Sequence, residues 1–343
     1  MKLRIITLLA FVSLILGACA QQPTPSELER FFPLLPNTMY IYEVEGFDEP
    51  GLRTIFNTYI RGDRAQRMVH ATHFPPSTEV ISVSGGEVRL IFGDPHHYTL
   101  EDLTEAEPNL DIIILREPLE VGTRWNNGAE TSEITSLAAP VSTPFGDFEA
   151  LQVTTTTAAG FMERYYYVQD IGLVKSVHPG ERGTLTVLLS QFSQEATASI
   201  PIHLFFPNPY TSSIEAELRY LIVPTNGDLA EHLNAELHAP PQTGALALLP
   251  EGVNISSIYV YRGQHLAHVD ISQNLAQAPN MGDGIIGNIL IGLVNTIGHF
   301  YEVAYVALTM GGQPFSWGPI ELAPGEALQV DDLSHLLSAN VSG

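Results

Sequence analysis

Twelve histidines, one cysteine and an excess of carboxylates are the groups through which this sequence could do chemistry. The densest histidine cluster is Asp94-Pro95-His96-His97, with His70 and His73 shortly upstream. Adjacent residues of a strand point to opposite faces, so His96 and His97 could hold one metal only from a loop. Solvated loop histidines are the simpler expectation, and no metal ligand is assigned. His265 and His268 belong to a hairpin turning at Arg262-Gly263, lie on its opposite faces and are expected at the surface. A serine nucleophile would need a G-x-S-x-G elbow between strand and helix, and none occurs. There is no phosphate loop or dinucleotide fingerprint either. Gly282-Asp283-Gly284 precedes an apolar helix with no lysine near it. With 38 acidic residues some carboxylate pair always exists, so sequence proximity identifies no glycosidase pair. The expectation is a protein that is not an enzyme and carries no cofactor.

The lone cysteine, Cys19, rules out an intramolecular disulfide and any thiolate metal cage. Its position gives it a different use. Lys2 and Arg4 form a cationic start, and Ile5 to Leu16 run apolar apart from Ser13. Small residues then lead up to Cys19. This is the build of a secretory signal, and the apolar run is too short to span a bilayer. Leu16-Gly17-Ala18-Cys19 resembles the lipobox of bacterial lipoproteins. That resemblance implies that residues 1–18 are a signal peptide and that the Cys19 thiol receives a diacylglyceryl group. The mature protein would then start at Cys19, anchored by lipid at the extracytoplasmic face of the plasma membrane. The alternative is an ordinary cleaved signal with an incidental cysteine. Two or more acyl chains suffice for stable anchoring where one does not.

The balance of 38 acidic against 15 basic residues, net −23, is lopsided, and two of the basic residues leave with the signal. Such a surface repels phosphate backbones and anionic lipid heads, which argues against nucleic acid and against docking on membranes by charge. It suits salty or alkaline surroundings, where excess carboxylate keeps a protein solvated. A hydrophobic fraction of 45% supports a packed core.

Along the chain, residues 19–30 are polar and Pro-containing and read as a linker between lipid and body. Residues 31–193 read as short β segments at spacings of roughly ten residues. Met39–Val44, Thr54–Ile60, Ala65–His73, Val80–Val83, Val88–Phe92, Asp111–Leu115, Phe148–Thr157, Met162–Val168, Leu173–Val177 and Thr184–Phe192 are the candidate strands. Arg61-Gly62-Asp63 and Ser84-Gly85-Gly86-Glu87 are hairpin-like turns. The expected fold is an antiparallel β-rich meander or half-barrel without a convincing helix. Residues 194–199 (QEATAS) read as a second linker.

Residues 200–333 change character. Ile202–Phe206 and Leu218–Val223 read as strands. Asp228 can N-cap a helix with Leu229, Leu233 and Leu237 every four residues. Ile255–Tyr261 and His265–Ile271 read as a hairpin. Asp283 can cap a second helix whose apolar residues from Ile285 to Ile297 recur at 3.6 spacing, with Asn288 and Asn295 on another face. Glycines at 284, 287, 292 and 298 each cost that helix about 1 kcal/mol of propensity. Packing onto strands must hold it, with glycine permitting close approach. Val303–Met310 is the last strand and residues 334–343 a tail. The order ββαββαβ predicts an α+β domain, two helices packed on one small sheet.

Two further resemblances follow from these residues. Phe32-Pro33-Leu34 with Tyr40 and Tyr42, Pro118-Leu119-Glu120-Val121-Gly122-Thr123-Arg124-Trp125, Thr143–Phe148 and Tyr165–Lys175 are similar to a module of extracytoplasmic lipoproteins from Gram-positive bacteria. No activity comes with it. Ile202–Phe206, Leu237-His238-Ala239-Pro240, Leu249-Pro250-Glu251-Gly252, Val269–Ser272, the helix Ile285–Ile297 and Val303–Gly312 resemble in order the GerMN domain, named for the sporulation and germination lipoprotein GerM. The resemblance implies a ring-building-motif-like fold that packs side by side in envelope assemblies, with no catalysis. The expected function is therefore assembly of a lipid-anchored cell-envelope protein with an envelope protein partner or with itself, in sporulation or spore germination. The exposed sheet or an edge strand would be the binding face. The alternative is a lipoprotein that binds cell-wall glycan (peptidoglycan) or a solute through a concave aromatic site using Trp125 or Trp317.

Overall fold

The structure is a computed structural model that describes residues 26–46, 50–72, 74–94, 101–211, 213–278 and 283–331. Cys19, the signal, His96 and His97 lie outside the described residues. A short helix, α1 (Glu27–Phe31), opens the described chain. Ser26 and Glu29 form a reciprocal capping box, each side chain accepting from the other's backbone N–H. Its apolar side chains Leu28 and Phe31 are buried. The end of the expected linker 19–30 is thus structured, because Ser-x-x-Glu before Phe31-Phe32 is a helix start.

Twelve strands follow: β1 (Met39–Glu45), β2 (Gly51–Arg61), β3 (Arg64–Ala71), β4 (Phe74–Ser84), β5 (Glu87–Asp94), β6 (Ile112–Arg116), β7 (Arg124–Asn127), β8 (Glu130–Thr143), β9 (Gly146–Thr156), β10 (Met162–Val168), β11 (Gly172–Gly180) and β12 (Gly183–Ser193). They form one antiparallel sheet in the order β6-β5-β4-β3-β2-β1-β12-β11-β10-β9-β8-β7. The chain works outward from β1 to one edge at β6, then restarts at the opposite edge with β7 and returns to pair β12 with β1. The two edges are therefore consecutive in sequence, and the sheet curls until they meet. Side chains join them: Trp125 Nε1 and Asn127 Nδ2 donate to Ile113 O at 3.0 and 2.9 Å, and Ile113 N donates to Asn127 Oδ1 at 2.9 Å. The result is nearly a barrel. Phe32, Leu119 and Trp125 share one interior cluster, so the repeated Pro-Leu phrases serve as core. Tyr40, Tyr42, Ile55, Val69, Val174 and Leu189 belong to another.

Both anticipated hairpin turns occur, and Gly85 and Gly86 take the positive φ (+61° and +76°) that a two-residue hairpin turn requires. Strands β7 and β8 were not anticipated. In β8 (ETSEITSLAAPVST) the buried residues Ser132, Ile134, Ala139 and Val141 lose their two-residue period because the register shifts between Ile134 and Ala139.

The C-terminal region has the expected order: β13 (Ala198–Asn208), β14 (Ser213–Val223), α2 (Leu229–Leu237), β15 (Ile255–Tyr261), β16 (Leu266–Ile271), α3 (Asp283–Tyr301) and β17 (Tyr305–Met310). The short strands β18 (Gln313–Pro314), β19 (Ser316–Trp317), β20 (Ile320–Glu321) and β21 (Ala327–Gln329) complete it. Strands β15-β16-β17-β18 form a sheet to which β21 adds by pairing with β17; β16 and β17 are parallel, joined through α3. Among the described residues, strands β13 and β14 pair only with each other, as a long ribbon. Asp228 caps α2 by accepting from Ala230 N at 2.9 Å.

Helix α3 is apolar enough over Gly284–Tyr301 to cross a membrane by length and composition, but 61% of that window is buried. It lies along β13, where Thr296 Oγ1 accepts from Phe205 N at 3.1 Å and so covers part of the ribbon's open edge. A Cβ at Gly292 would stand 2.2 Å from Phe205 O, whereas one at Gly287 would meet nothing within 4 Å. Gly292 is thus where helix and strand approach closely. Asn295 is buried, exchanging hydrogen bonds with Asp331.

The two regions are joined firmly. Of the expected linker 194–199, Ala196 N donates to Asn37 O and Ala198 already begins β13. Thr225 exchanges backbone and side-chain bonds with Asn37 at 2.7 and 2.8 Å, and Asn226 Oδ1 accepts from Ile60 N at 2.9 Å. Met39, Phe56 and Met68 sit opposite one another on β1, β2 and β3, and all three pack on the C-terminal core.

Candidate assembly face

The side chains of β15, β16 and β17 alternate between two faces, although Ala307 is buried on the second. Ala267, Val269 and Ile271 of β16 and Val306 and Leu308 of β17 are buried with Leu233 and Leu237 of α2 and Ile286, Ile289 and Leu293 of α3. Both helices therefore cover one face. On the other face, residues in register form three rungs: Tyr261, Leu266 and Tyr305; Tyr259, His268 and Ala307; Ser257, Asp270 and Thr309. Tyr259, Tyr261 and Tyr305 are 57%, 47% and 44% exposed. Gln329 of β21 extends the first rung beside Tyr305. No lysine or arginine stands among these residues, and Asp270 is their one carboxylate, so the face is aromatic and not basic.

Its polar end is already satisfied. Asp270 Oδ1 accepts from Thr309 Oγ1 at 2.6 Å and from Gly312 N at 2.7 Å, which ties the carboxylate to the turn after β17. His268 Nε2 lies 3.1 Å from Thr309 Oγ1. Because the Thr309 proton goes to Asp270, the hydroxyl can only accept from His268. A nucleophile needs the reverse, donating its proton to the imidazole. The trio orders a turn and does not activate an oxygen.

The edge of the sheet is less available than its face. At β15, Asn234 of α2 brackets Ile255, accepting from its N at 2.8 Å and donating to its O at 3.0 Å. Val260 N donates to Glu101 Oε1 of the barrel region at 3.1 Å. An added strand would have to displace both.

The remaining residues singled out from sequence fall elsewhere. Trp125 and Trp317 are 2% and 5% exposed, so neither can form the concave aromatic site expected for a glycan or solute. His265 is exposed in a left-handed conformation (φ 49°), and its carbonyl accepts from Ala304 N and Tyr305 N. Among the described residues no three His, Asp or Glu side chains converge as a metal site. The tyrosines of the face were not singled out beforehand. Their signal was the Tyr-x-Tyr alternation ending β15, polar-tipped aromatics at a strand's two-residue period.

Residues 203–316 match the profile of the Germane family, described as sporulation and spore germination. The C-terminal region thus carries the GerM-like domain that its ordered phrases resemble. No curated protein matches the chain. Among solved structures, the tandem GerMN domains of the sporulation protein GerM from Bacillus subtilis share 17% identity over 35% of this chain and 41% of that one, TM-score 0.25. A candidate exported protein with a YmcC-like fold from Bacteroides fragilis shares 13% identity over 46% of this chain and 96% of that one, TM-score 0.28. A candidate lipoprotein from Parabacteroides distasonis shares 11% identity over 48% of this chain and 98% of that one, TM-score 0.30.

Proposed function

We propose that this chain is a non-catalytic, lipid-anchored cell-envelope protein whose Germane domain mediates protein–protein assembly in sporulation or spore germination. The observation that carries the proposal is the open sheet face inside the Germane match: Tyr259, Tyr261 and Tyr305 stand exposed on a sheet whose other face is packed. Aromatic side chains with a polar tip are enriched at interfaces because they bury a large area and still satisfy their hydroxyls. Cys19 is the proposed lipid attachment site. With so acidic a chain, acyl chains rather than charge would keep it at the extracytoplasmic face of the plasma membrane.

Two measurements on the full-length protein test this. Membrane enrichment and an N-terminal mass increase should vanish in Cys19→Ala; an unmodified wild-type N-terminus overturns the anchor. A photo-cross-linker at position 259 or 305 should trap an envelope protein or a second copy in cells, while one at Met162, exposed on the barrel, should not. Equal trapping from both regions overturns the assembly face. Retention on purified peptidoglycan without a protein cross-link would favour the glycan-binding alternative, for which the same three tyrosines offer stacking surfaces.

A further inference from the structure

The barrel interior holds a cavity of about 210 Å³ that the Germane reading does not use. Its walls are mainly aromatic and aliphatic, among them Phe32, Tyr40, Tyr42, Leu90, Ile114 and Tyr167. Three charged side chains also line it: Arg53, Arg67 and Glu79. Arg67 and Glu79 sit opposite each other on β3 and β4 and form an ion pair, with the Arg67 guanidinium also 5.6 Å from the Phe32 ring centre. Burial opposes ionisation of Glu79, but Arg67 and Arg53 outweigh it and hold the carboxyl below its ordinary value. That leaves two guanidinium groups against one carboxylate.

The second guanidinium has no firm partner. Arg53 Nη2 is 4.0 Å from Glu79 and, among the described residues, donates no hydrogen bond. Elsewhere in this acidic chain Arg61, Arg89, Arg124 and Arg219 each hold a carboxylate at 3.1 Å or less. The side chain of Arg53 is 29% exposed, so water reaches the cavity at that end. Arg67 shows the same deficit: its buried Nε has no acceptor, one of two such side-chain donors among the described residues. Burial pushes the Tyr42 hydroxyl up to about 12 and raises Tyr40 and Tyr167 as well, so these walls stay neutral in ordinary buffers.

An excess positive charge facing an apolar, aromatic space is complementary to an anion with an apolar body. Size narrows the class. An apolar cavity of roughly 150 Å³ holds a benzene ring, and the space here adds room for a carboxylate. We propose that the barrel cavity binds a small aromatic or branched monocarboxylate, its carboxylate hydrogen-bonded by Arg53 and its body packed between Tyr40, Tyr42 and Phe32. The carboxylate supplies the acceptor that Arg53 lacks, in the planar two-point geometry that guanidinium groups favour.

The site is tested with the full-length protein in nanodiscs of zwitterionic lipid, titrated calorimetrically with phenylacetate and with its neutral isostere phenylacetamide. Empty nanodiscs are the blank. Phenylacetate should bind one per chain and at least about tenfold more tightly than the amide, as one charge-assisted hydrogen bond suffices to give. Arg53→Gln should remove that preference, and Leu90→Trp, which fills the cavity, should abolish binding of both. Ile114→Phe serves as the second filling variant if Leu90→Trp does not melt cooperatively. Equal affinity for acid and amide overturns the proposal, as does a preference for the acid that survives Arg53→Gln. So does the absence of saturable binding up to about 10 mM, beyond which site recognition is negligible. Because the barrel is read out alone, failure here leaves the assembly proposal standing, and failure of the cross-links leaves this one.

Discussion

The two regions of the molecule place their polar groups on opposite sides of their sheets. The barrel turns Arg53, Arg67 and Glu79 inward around a cavity and uses the outside of β1–β3, through Met39, Phe56 and Met68, to seat its neighbour. The Germane domain packs its interior densely under α2 and α3 and keeps Tyr259, Tyr261 and Tyr305 outside. One region is built like a container and the other like a platform. A curled sheet encloses a concave space that side chains need not fill completely. An open sheet backed by helices has one face to bury and one to present.

The contrast can be broken where the regions meet. Phe56→Ala removes a fully buried ring shared by both and should cost about 3–5 kcal/mol. If the regions unfold as one unit, a single calorimetric transition should shift; two separated transitions would show that Phe56 does not couple them.

Inside the container, Glu79→Gln leaves two uncompensated cations and should destabilise by about 3 kcal/mol at pH 7. The pH dependence has a definite sign. The carboxyl is depressed below its ordinary value of 4.5 in the folded protein, so its contribution is complete above that value and is lost as pH falls through the folded one. Wild type should therefore lose stability in acid more steeply than Glu79→Gln. Parallel denaturant midpoints from pH 7 to pH 3 would contradict this.

Under the platform, Gly292→Ala drives a methyl into Phe205 O and should cost about 1–3 kcal/mol. Gly287→Ala, on the same helix with open space around it, should instead stabilise by up to about 1 kcal/mol. Urea midpoints that move in the same direction for both variants would refute the close approach of α3 to β13. The smallest effect belongs to the face itself. Tyr259→Ser with Tyr305→Ser should change stability by no more than about 1 kcal/mol in total, while removing a cross-link placed at position 261. A large loss of stability would make the tyrosines structural rather than presented.

The platform was far more legible in the sequence than the container. Asp228 before Leu229, Leu233 and Leu237, and the 3.6-residue period from Ile285 to Ile297, mark helices because their partners lie one turn away in the chain. Hairpin turns at Gly62 and Gly85-Gly86 were legible because the backbone there demands positive φ. Strand β8 was not legible, since its bulged register destroys the two-residue period that reveals a half-buried strand. The helix α1 was missed although Ser26 and Glu29 spell its start, because five residues carry too little periodicity. The candidate face was half visible: the alternation of Tyr259 and Tyr261 was in view, but Tyr305 joins them only through the parallel pairing of β16 with β17.

The sequence by itself determined the class of each region, the order ββαββαβ, the phrases that mark the Germane domain, and a lone cysteine placed where a lipoprotein would carry its lipid. These depend on near neighbours in the chain, on composition and on ordered motifs. Only the tertiary structure decided which faces are covered and which groups meet. Arg53 and Glu79 are 26 positions apart, and Trp125 closes the barrel on Ile113 only because the two edge strands follow one another around a curled sheet. Long-range pairing has no period to read. It is set by how the whole sheet bends and by what must be buried beneath it.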